Sequence, residues 1–339
     1  MKDMILRTRA NVRAATGVDC NGEAWAVVAD GDPALYTDFR YIPMARRVAP
    51  KLAVRDVKRF APDLRRLWGG RGSVSRRIGF EKSISVAEFE KLRKILPRAR
   101  FADATRELER ARAVKSPEEI EKMRAASRMN VEIWKEASTR FKAGMTEREM
   151  AGLIRSMMFE RGDGEAFDTI VCVGANAAEC HHVPDGTVWN GRTPVLVDMG
   201  VKLDGYCSDM TRNVVPRTRG ARVPSLYRKV YDLVLEANRA AIAAVRPGVT
   251  GRALDKVARD IIKKGGFGKC FGHSLGHGVG LEIHEAPTAS KKSGWTLRPG
   301  MFVTIEPGIY LEGNLGVRIE DLVLVTEDGC EVLTSSATA

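Results

Sequence analysis

Along the last two-thirds of the chain the spacing of apolar residues changes from helical to strand-like twice. Ser116-Pro117-Glu118-Glu119 combines an N-cap, a proline at the first helical position and a capping glutamate. Ile120, Met123, Ala126, Ile133, Trp134 and Ala137 then fall on one face, so the spacing predicts a long helix from 117. Thr146-Glu147-Arg148-Glu149 opens a second helix, apolar at Met150, Leu153, Ile154 and Met157 and closed by Gly162. Val195-Leu196-Val197 reads as a buried strand. A second cycle follows, with helices near 224–245 and 251–264 ended by Gly265-Gly266, then strand-like runs at Val303-Thr304-Ile305 and Val317-Arg318-Ile319.

The first third alternates short apolar runs with amphipathic ones. Residues 24–29 and 34–37 read as a hairpin across an Asp-Gly-Asp-Pro turn, and 77–80 as another strand. Ser85-Val86-Ala87-Glu88 is a capping box for a helix through Phe89, Leu92 and Leu96. This predicts an α/β domain over 1–110 and a second domain over 111–339.

The two later cycles match in detail. Val197-Asp198-Met199-Gly200 returns through Ser208-Asp209-Met210-Thr211-Arg212, and Ile305-Glu306-Pro307-Gly308 returns through Arg318-Ile319-Glu320-Asp321. Gly144 and Gly248 are 104 residues apart, His181 and His284 103, Asp198 and Glu306 108. A duplicated unit packs as a pseudo-two-fold pair, bringing equivalent positions to a shared axis. The expected class is α+β, with helices on one face of an antiparallel sheet and the site on the other.

The net charge of +12 changes the picture only locally. Residues 1–115 carry 26 Lys and Arg against 14 Asp and Glu, whereas 116–339 carry 29 of each. No aromatic interleaving or recognition motif accompanies the basic excess, so nucleic acid is not an expected partner. No apolar run approaches the roughly 20 residues of a membrane span, and no signal peptide is read at the start. The six cysteines show neither disulfide nor zinc-ribbon spacing, which points to reduced thiols in a cytoplasm.

Carboxylates in apolar strands demand an explanation, because an ionised side chain buried there costs several kcal/mol unless paired or metal-bound. Asp198, Asp209, Glu306 and Glu320 would converge at the axis, with Asp209 and Glu320 on the return strands. Clustered carboxylates repel one another unless divalent cations neutralise them. His277, in Gly272-His273-Ser274-Leu275-Gly276-His277-Gly278, supplies a nitrogen ligand. Four carboxylates and an imidazole suit a two-metal hydrolytic centre acting on a carbonyl. The absence of thiolate favours Mn²⁺, with Co²⁺, Fe²⁺ or Zn²⁺ as other occupants.

These stretches resemble the pita-bread metallopeptidases, the family of methionine aminopeptidase, prolidase and aminopeptidase P, over residues 116 to about 333. The resemblance implies a curved antiparallel sheet covered by the helices of two pseudo-symmetric halves. It implies that Asp209 and Glu320 bridge two ions, that Asp198 holds one, and that His277 and Glu306 hold the other, with Glu306 also handling the proton of the attacking water. It further implies a catalytic part for His181, near the leaving proline nitrogen, for His284, at the substrate carbonyl, and for Arg318, whose local alternative is to neutralise Glu320.

Residues 1–110 resemble the N-terminal domain of Xaa-Pro peptidases, notably in Tyr36-Thr37-Asp38-Phe39-Arg40-Tyr41. That resemblance implies a homodimer acting on proline-containing peptides, as an Xaa-Pro aminopeptidase on the Thr-Asp-Phe-Arg-Tyr signal, with a dipeptidase (prolidase) as the alternative. Two other readings are disfavoured. A catalytically silent relative binding nucleic acid or protein would lose ligands that this chain keeps, and creatinase-like hydrolysis dispenses with the metal set.

Overall fold

Apolar alternation in the first third builds a mixed sheet with helices on both faces. The computed structural model describes residues 2–70, 76–215 and 223–335. The chain divides into two units, Met1–Arg112 and Ala113–Ala339. The first runs β1 (Met4–Leu6), α1 (Arg9–Thr16), β2 (Ala24–Ala29), β3 (Asp32–Thr37), α2 (Ile42–Val48), β4 (Ala53–Asp56), α3 (Phe60–Trp68), β5 (Arg77–Phe80), α4 (Val86–Ile95), β6 (Arg100–Asp103) and α5 (Thr105–Ala113). The strand order is β4-β3-β2-β1-β5-β6.

Successive side chains of β2 point to opposite faces. Trp25 and Val27 pack with Phe60, Leu64, Ile78 and Leu92, while Ala24, Ala26 and Val28 pack with Val12, Leu35 and Ala45. The hairpin turn is shorter than the Asp-Gly-Asp-Pro reading. Asp30 at φ 55° and Gly31 at φ 100° make the whole turn, because two left-handed residues match the twist of the flanking strands. Asp32 and Pro33 therefore belong to β3, paired with Ala29 and Val28.

The second unit continues with α6 (Pro117–Arg140), α7 (Glu147–Arg161), β7 (Gly164–Glu165), β8 (Ile170–Val173), β9 (Val195–Met199), β10 (Val201–Leu203), β11 (Tyr206–Cys207) and β12 (Met210–Val214). Its second half holds α8 (Ser225–Ala244), α9 (Gly251–Lys264), β13 (Gly276–Gly278), β14 (Glu285–Ala289), β15 (Phe302–Ile305), β16 (Gly308–Leu311), β17 (Leu315–Arg318), β18 (Asp321–Val325) and β19 (Cys330–Val332). Ser116, Ser85 and Thr146 all form reciprocal capping boxes. Gly162 ends α7 in extended rather than left-handed backbone.

Register decides which face holds what. Val195, Val197 and Met199 of β9 pack against Ile133, Trp134, Met150 and Ile154 of the helices. Leu196 turns the other way, onto Cys172 and Ala177, and Asp198 shares its side of the strand. In the second half Val303 and Ile305 pack under α8 and α9, with Val234, Ala237, Leu254 and Ala258.

Candidate metal centre

The strands break where the acidic residues sit. Of the four carboxylates only Asp198 lies within a strand, opposite Thr211 of β12. Asp209 precedes β12, Glu306 separates β15 from β16, and Glu320 separates β17 from β18. The expected placement of Asp209 and Glu320 on the return strands is thus corrected to strand ends. A break interrupts the ladder and strands backbone carbonyls, which must find other donors when buried. Asn130 of α6 donates to the Met199 carbonyl at 3.0 Å, and Asn238 of α8 to those of Ile305 at 2.9 Å and Ile319 at 3.3 Å. These buried asparagines, 108 residues apart like Asp198 and Glu306, were not anticipated. The available signal was an amide on an otherwise apolar helix face.

His277 arrives on β13, threaded between other backbones. A Cβ at Gly276 would lie 1.8 Å from the Thr304 carbonyl oxygen, and one at Gly278 2.2 Å from that of Ala286, so only glycine fits on either side of the histidine. The His277 amide donates to Thr304 Oγ1 at 3.0 Å, and Nδ1 faces the Gly278 carbonyl at 3.1 Å. A carbonyl only accepts, so Nδ1 carries the proton and Nε2 keeps its lone pair. Nε2 is 3.4 Å from Glu306 Oε1 and 3.7 Å from Asp209 Oδ2. Ligand atoms of Asp209, His277 and Glu320 all lie within 4.8 Å of one another.

Arg318 joins the halves differently from its local reading. Its Nη2 donates to Asp198 Oδ2 at 2.6 Å, its Nε to Thr211 Oγ1 at 3.0 Å and its Nη1 to the Tyr310 hydroxyl at 2.9 Å. Thr211 Oγ1 in turn donates to Glu320 Oε2 at 2.7 Å. The arginine therefore pairs with Asp198 and reaches Glu320 through a threonine. Tyr310 also lies 2.8 Å from His273 Nε2. Thr211, His273 and Tyr310 were not singled out from sequence, since a threonine in a strand and a tyrosine after a turn carry no signal of their own.

The protonation pattern follows from crowding. Burial, then the charges of Glu320, Asp198 and Glu306, hold the Asp209 carboxyl well above the usual range. Burial, then Glu306 and Asp198, do the same to Glu320. Glu306 is pushed up to about 8, chiefly by burial. His277 is lowered to about 4 by burial and by the nearby His284, whose ring centroid is 4.4 Å away. His284 is itself lowered, by burial and then by His181. His181 and His284 are both exposed, whereas His182 is buried.

This arrangement leaves donors suited to a cation. An imidazole lone pair faces two carboxylates, three acids are held above their ordinary range, and the buried Asp198 Oδ1 has no hydrogen-bond partner among the described residues. Divalent ions would satisfy each of these at once, and oxygen-rich donors with one imidazole suit hard or borderline metals.

The sequence matches metallopeptidase family M24 over residues 121–327 and the creatinase/prolidase N-terminal domain over residues 2–114. The chain belongs to metallopeptidase family M24. It is 33% identical over 340 residues to the uncharacterized peptidase YqhT of Bacillus subtilis, covering 98% of this chain and 93% of that one. It is 43% identical over 194 residues to the Xaa-Pro dipeptidase of Pyrococcus furiosus, covering 57% of this chain and 55% of that one. Among solved structures, the prolidase from Pyrococcus furiosus superposes with TM-score 0.88 at 33% identity, over 98% of this chain and 96% of that one. The X-Pro aminopeptidase from Thermotoga maritima gives 0.87 at 33% identity, over 98% and 95%. The family assignment brings the pita-bread fold and metal-dependent peptidase activity with it. No helix among the described residues is long and apolar enough to cross a membrane.

Proposed function

We propose that this metallopeptidase is an Xaa-Pro dipeptidase, releasing the residue before proline, with the Xaa-Pro aminopeptidase as the second reading. The observation that carries it is the cluster of Asp209, His277 and Glu320, with Glu306 3.4 Å from His277, in a chain whose similar proteins include an Xaa-Pro dipeptidase and a prolidase. The Thr-Asp-Phe-Arg-Tyr segment favours the aminopeptidase; the similar proteins favour the dipeptidase, and the aminopeptidase keeps the support of the Thermotoga maritima neighbour.

Asp198, Asp209, His277, Glu306 and Glu320 would hold two divalent ions, Mn²⁺ first, with Co²⁺, Zn²⁺ or Fe²⁺ as alternatives. When bound, such a pair lowers the pKa of water and polarises a carbonyl. Glu306, freed of its own proton once metal is bound, would take up the proton released by the attacking water. His284, kept neutral by its lowered pKa, can donate one hydrogen bond to the oxygen of the substrate carbonyl as charge develops there. His181 would stand at the leaving proline nitrogen, and Arg318 would keep Asp198 ionised and oriented. A tertiary Xaa-Pro amide has no N–H, so a specialist is needed where general peptidases rely on that donor.

A homodimer, implied by the resemblance of the N-terminal domain, belongs to the same reading. So does a reducing cytoplasmic setting, which the six free thiols fit. The test is hydrolysis of Xaa-Pro against Xaa-Pro-Xaa peptides by manganese-loaded protein. Preference for the dipeptide is expected; cleavage of the tripeptide alone would restore the aminopeptidase, and cleavage of neither would remove both.

A further inference from the structure

The two candidate catalytic histidines share a local arrangement. His181 is exposed, and the next side chain, His182, is 8% exposed. His284 is exposed, and the next side chain, that of Glu285, is 3% exposed. In each case the side chain after the histidine is held inward while the histidine, at a turn or bend, stays exposed.

An ion pair holds each inward neighbour. His182 Nε2 is 2.8 Å from Glu147 Oε2, and its Nδ1 is 3.1 Å from Glu179 Oε2. A carboxylate oxygen beside each ring nitrogen favours the protonated ring, and Asn176 Nδ2 also lies 3.4 Å from Nε2. Burial alone would lower the pKa of this ring, but the two carboxylates outweigh it and raise it. Glu147, His182 and Asp185 lie close enough together to hold a metal ion. When the ring carries both protons it has no lone pair to offer one, and the group then acts as an ion pair.

Glu147 is a staple for the whole segment around His181. Its Oε1 accepts from the Val173 amide at 2.6 Å and from Asn176 Nδ2 at 2.9 Å, and its Oε2 from the Asp185 amide at 3.1 Å. The carboxylate thus fixes both ends of the stretch 173–185, and Arg318 Nη1 holds the Cys180 carbonyl at 3.4 Å. In the other half, Glu285 Oε1 is 2.6 Å from Lys115 Nζ, with both side chains almost fully buried. The Lys115 amide donates to the Gly300 carbonyl at 2.9 Å, two residues before β15. His284 stands beside this pair with its ring against His277.

We propose that His182–Glu147 and Glu285–Lys115 are positioning pairs, which aim His181 and His284 at the metal centre without touching substrate. The proposal rests on the roles given above to those two histidines. A misplacement of about 1 Å can cost on the order of 100-fold in rate, so pairs of this kind act on turnover rather than on binding.

The test uses His182→Ala, Glu285→Gln and the double variant Lys115→Met/Glu285→Met, which removes both charges and leaves neither buried alone. Metal content and KM within about threefold of wild type are expected, with kcat lowered about 10- to 100-fold. The chain has five histidines, so ¹⁵N-histidine spectra of the zinc-loaded protein can be assigned by substitution. His182→Ala should move or broaden the His181 signals and leave those of His284 in place, and the Glu285 variants should move those of His284, together with its ring neighbour His277, and leave those of His181 in place. Wild-type kcat and unmoved His181 and His284 signals in the folded variants would overturn the proposal. If the wild-type protein hydrolyses no Xaa-Pro peptide, the functional reading fails by itself, and the imidazole signals alone decide the positioning.

Discussion

Arg318 and Asp198, 120 residues apart, meet at 2.6 Å in an ion pair with 4% and 13% of their side chains exposed. The pair ties the end of β17 to β9, one element from each half of the second unit. Removing one partner of such a buried pair leaves an uncompensated charge and costs about 3–5 kcal/mol. Arg318→Met should therefore lower the thermal midpoint of metal-free protein strongly, as read by scanning calorimetry. Saturating Mn²⁺ should recover part of the loss by giving Asp198 another cation; no recovery would argue that Asp198 is not a ligand.

Asp209→Asn keeps the shape of the side chain and removes its charge. If Asp209 bridges two ions, metal analysis should show at least one ion lost per chain and Xaa-Pro hydrolysis should fall by at least about 1000-fold. Retention of two ions with full activity would place the centre elsewhere.

Metal-free protein should lose stability as pH rises from about 6.5 to 8. Glu306 has an ordinary value of 4.5 and a folded one of about 8, so between those values the folded state holds a proton that the unfolded chain has released. Its contribution is complete below about 4.5 and lost through about 8; Asp209 and Glu320 shift in the same direction. His277 and His273, lowered from 6.5 to about 4, act oppositely between those two values, which leaves the range above 6.5 to the raised carboxyls and to His182, whose raised pKa acts in the same direction. Bound metal displaces the carboxyl protons, so the stabilisation by Mn²⁺ should be larger at pH 8 than at pH 6.5. Equal thermal shifts at both would contradict this.

Asn238→Ala should destabilise by about 1–3 kcal/mol, because the Ile305 and Ile319 carbonyls lose their buried donor. Asn130→Ala should behave alike through Met199. Urea denaturation measures both, and a change below about 0.5 kcal/mol would show that the strand breaks are satisfied in another way.

Much of this architecture was legible in the residues themselves. Capping boxes at Ser85, Ser116 and Thr146 act over one helical turn, so the sequence determines those helix starts without help from the rest of the chain. The repeat of Val197-Asp198-Met199-Gly200 and Ile305-Glu306-Pro307-Gly308 determined that there are two related halves with acids at matching places. Local chemistry could not say that Arg318 turns to Asp198 rather than to Glu320, two residues away. Nor could it say which of His181 and His182 faces outward, or that Asn130 and Asn238 serve the strand breaks. Those outcomes were decided only in the tertiary structure. A charged or amide side chain settles on whichever buried partner the packing of distant strands brings within about 3 Å, and that distance is not written in the spacing along the chain.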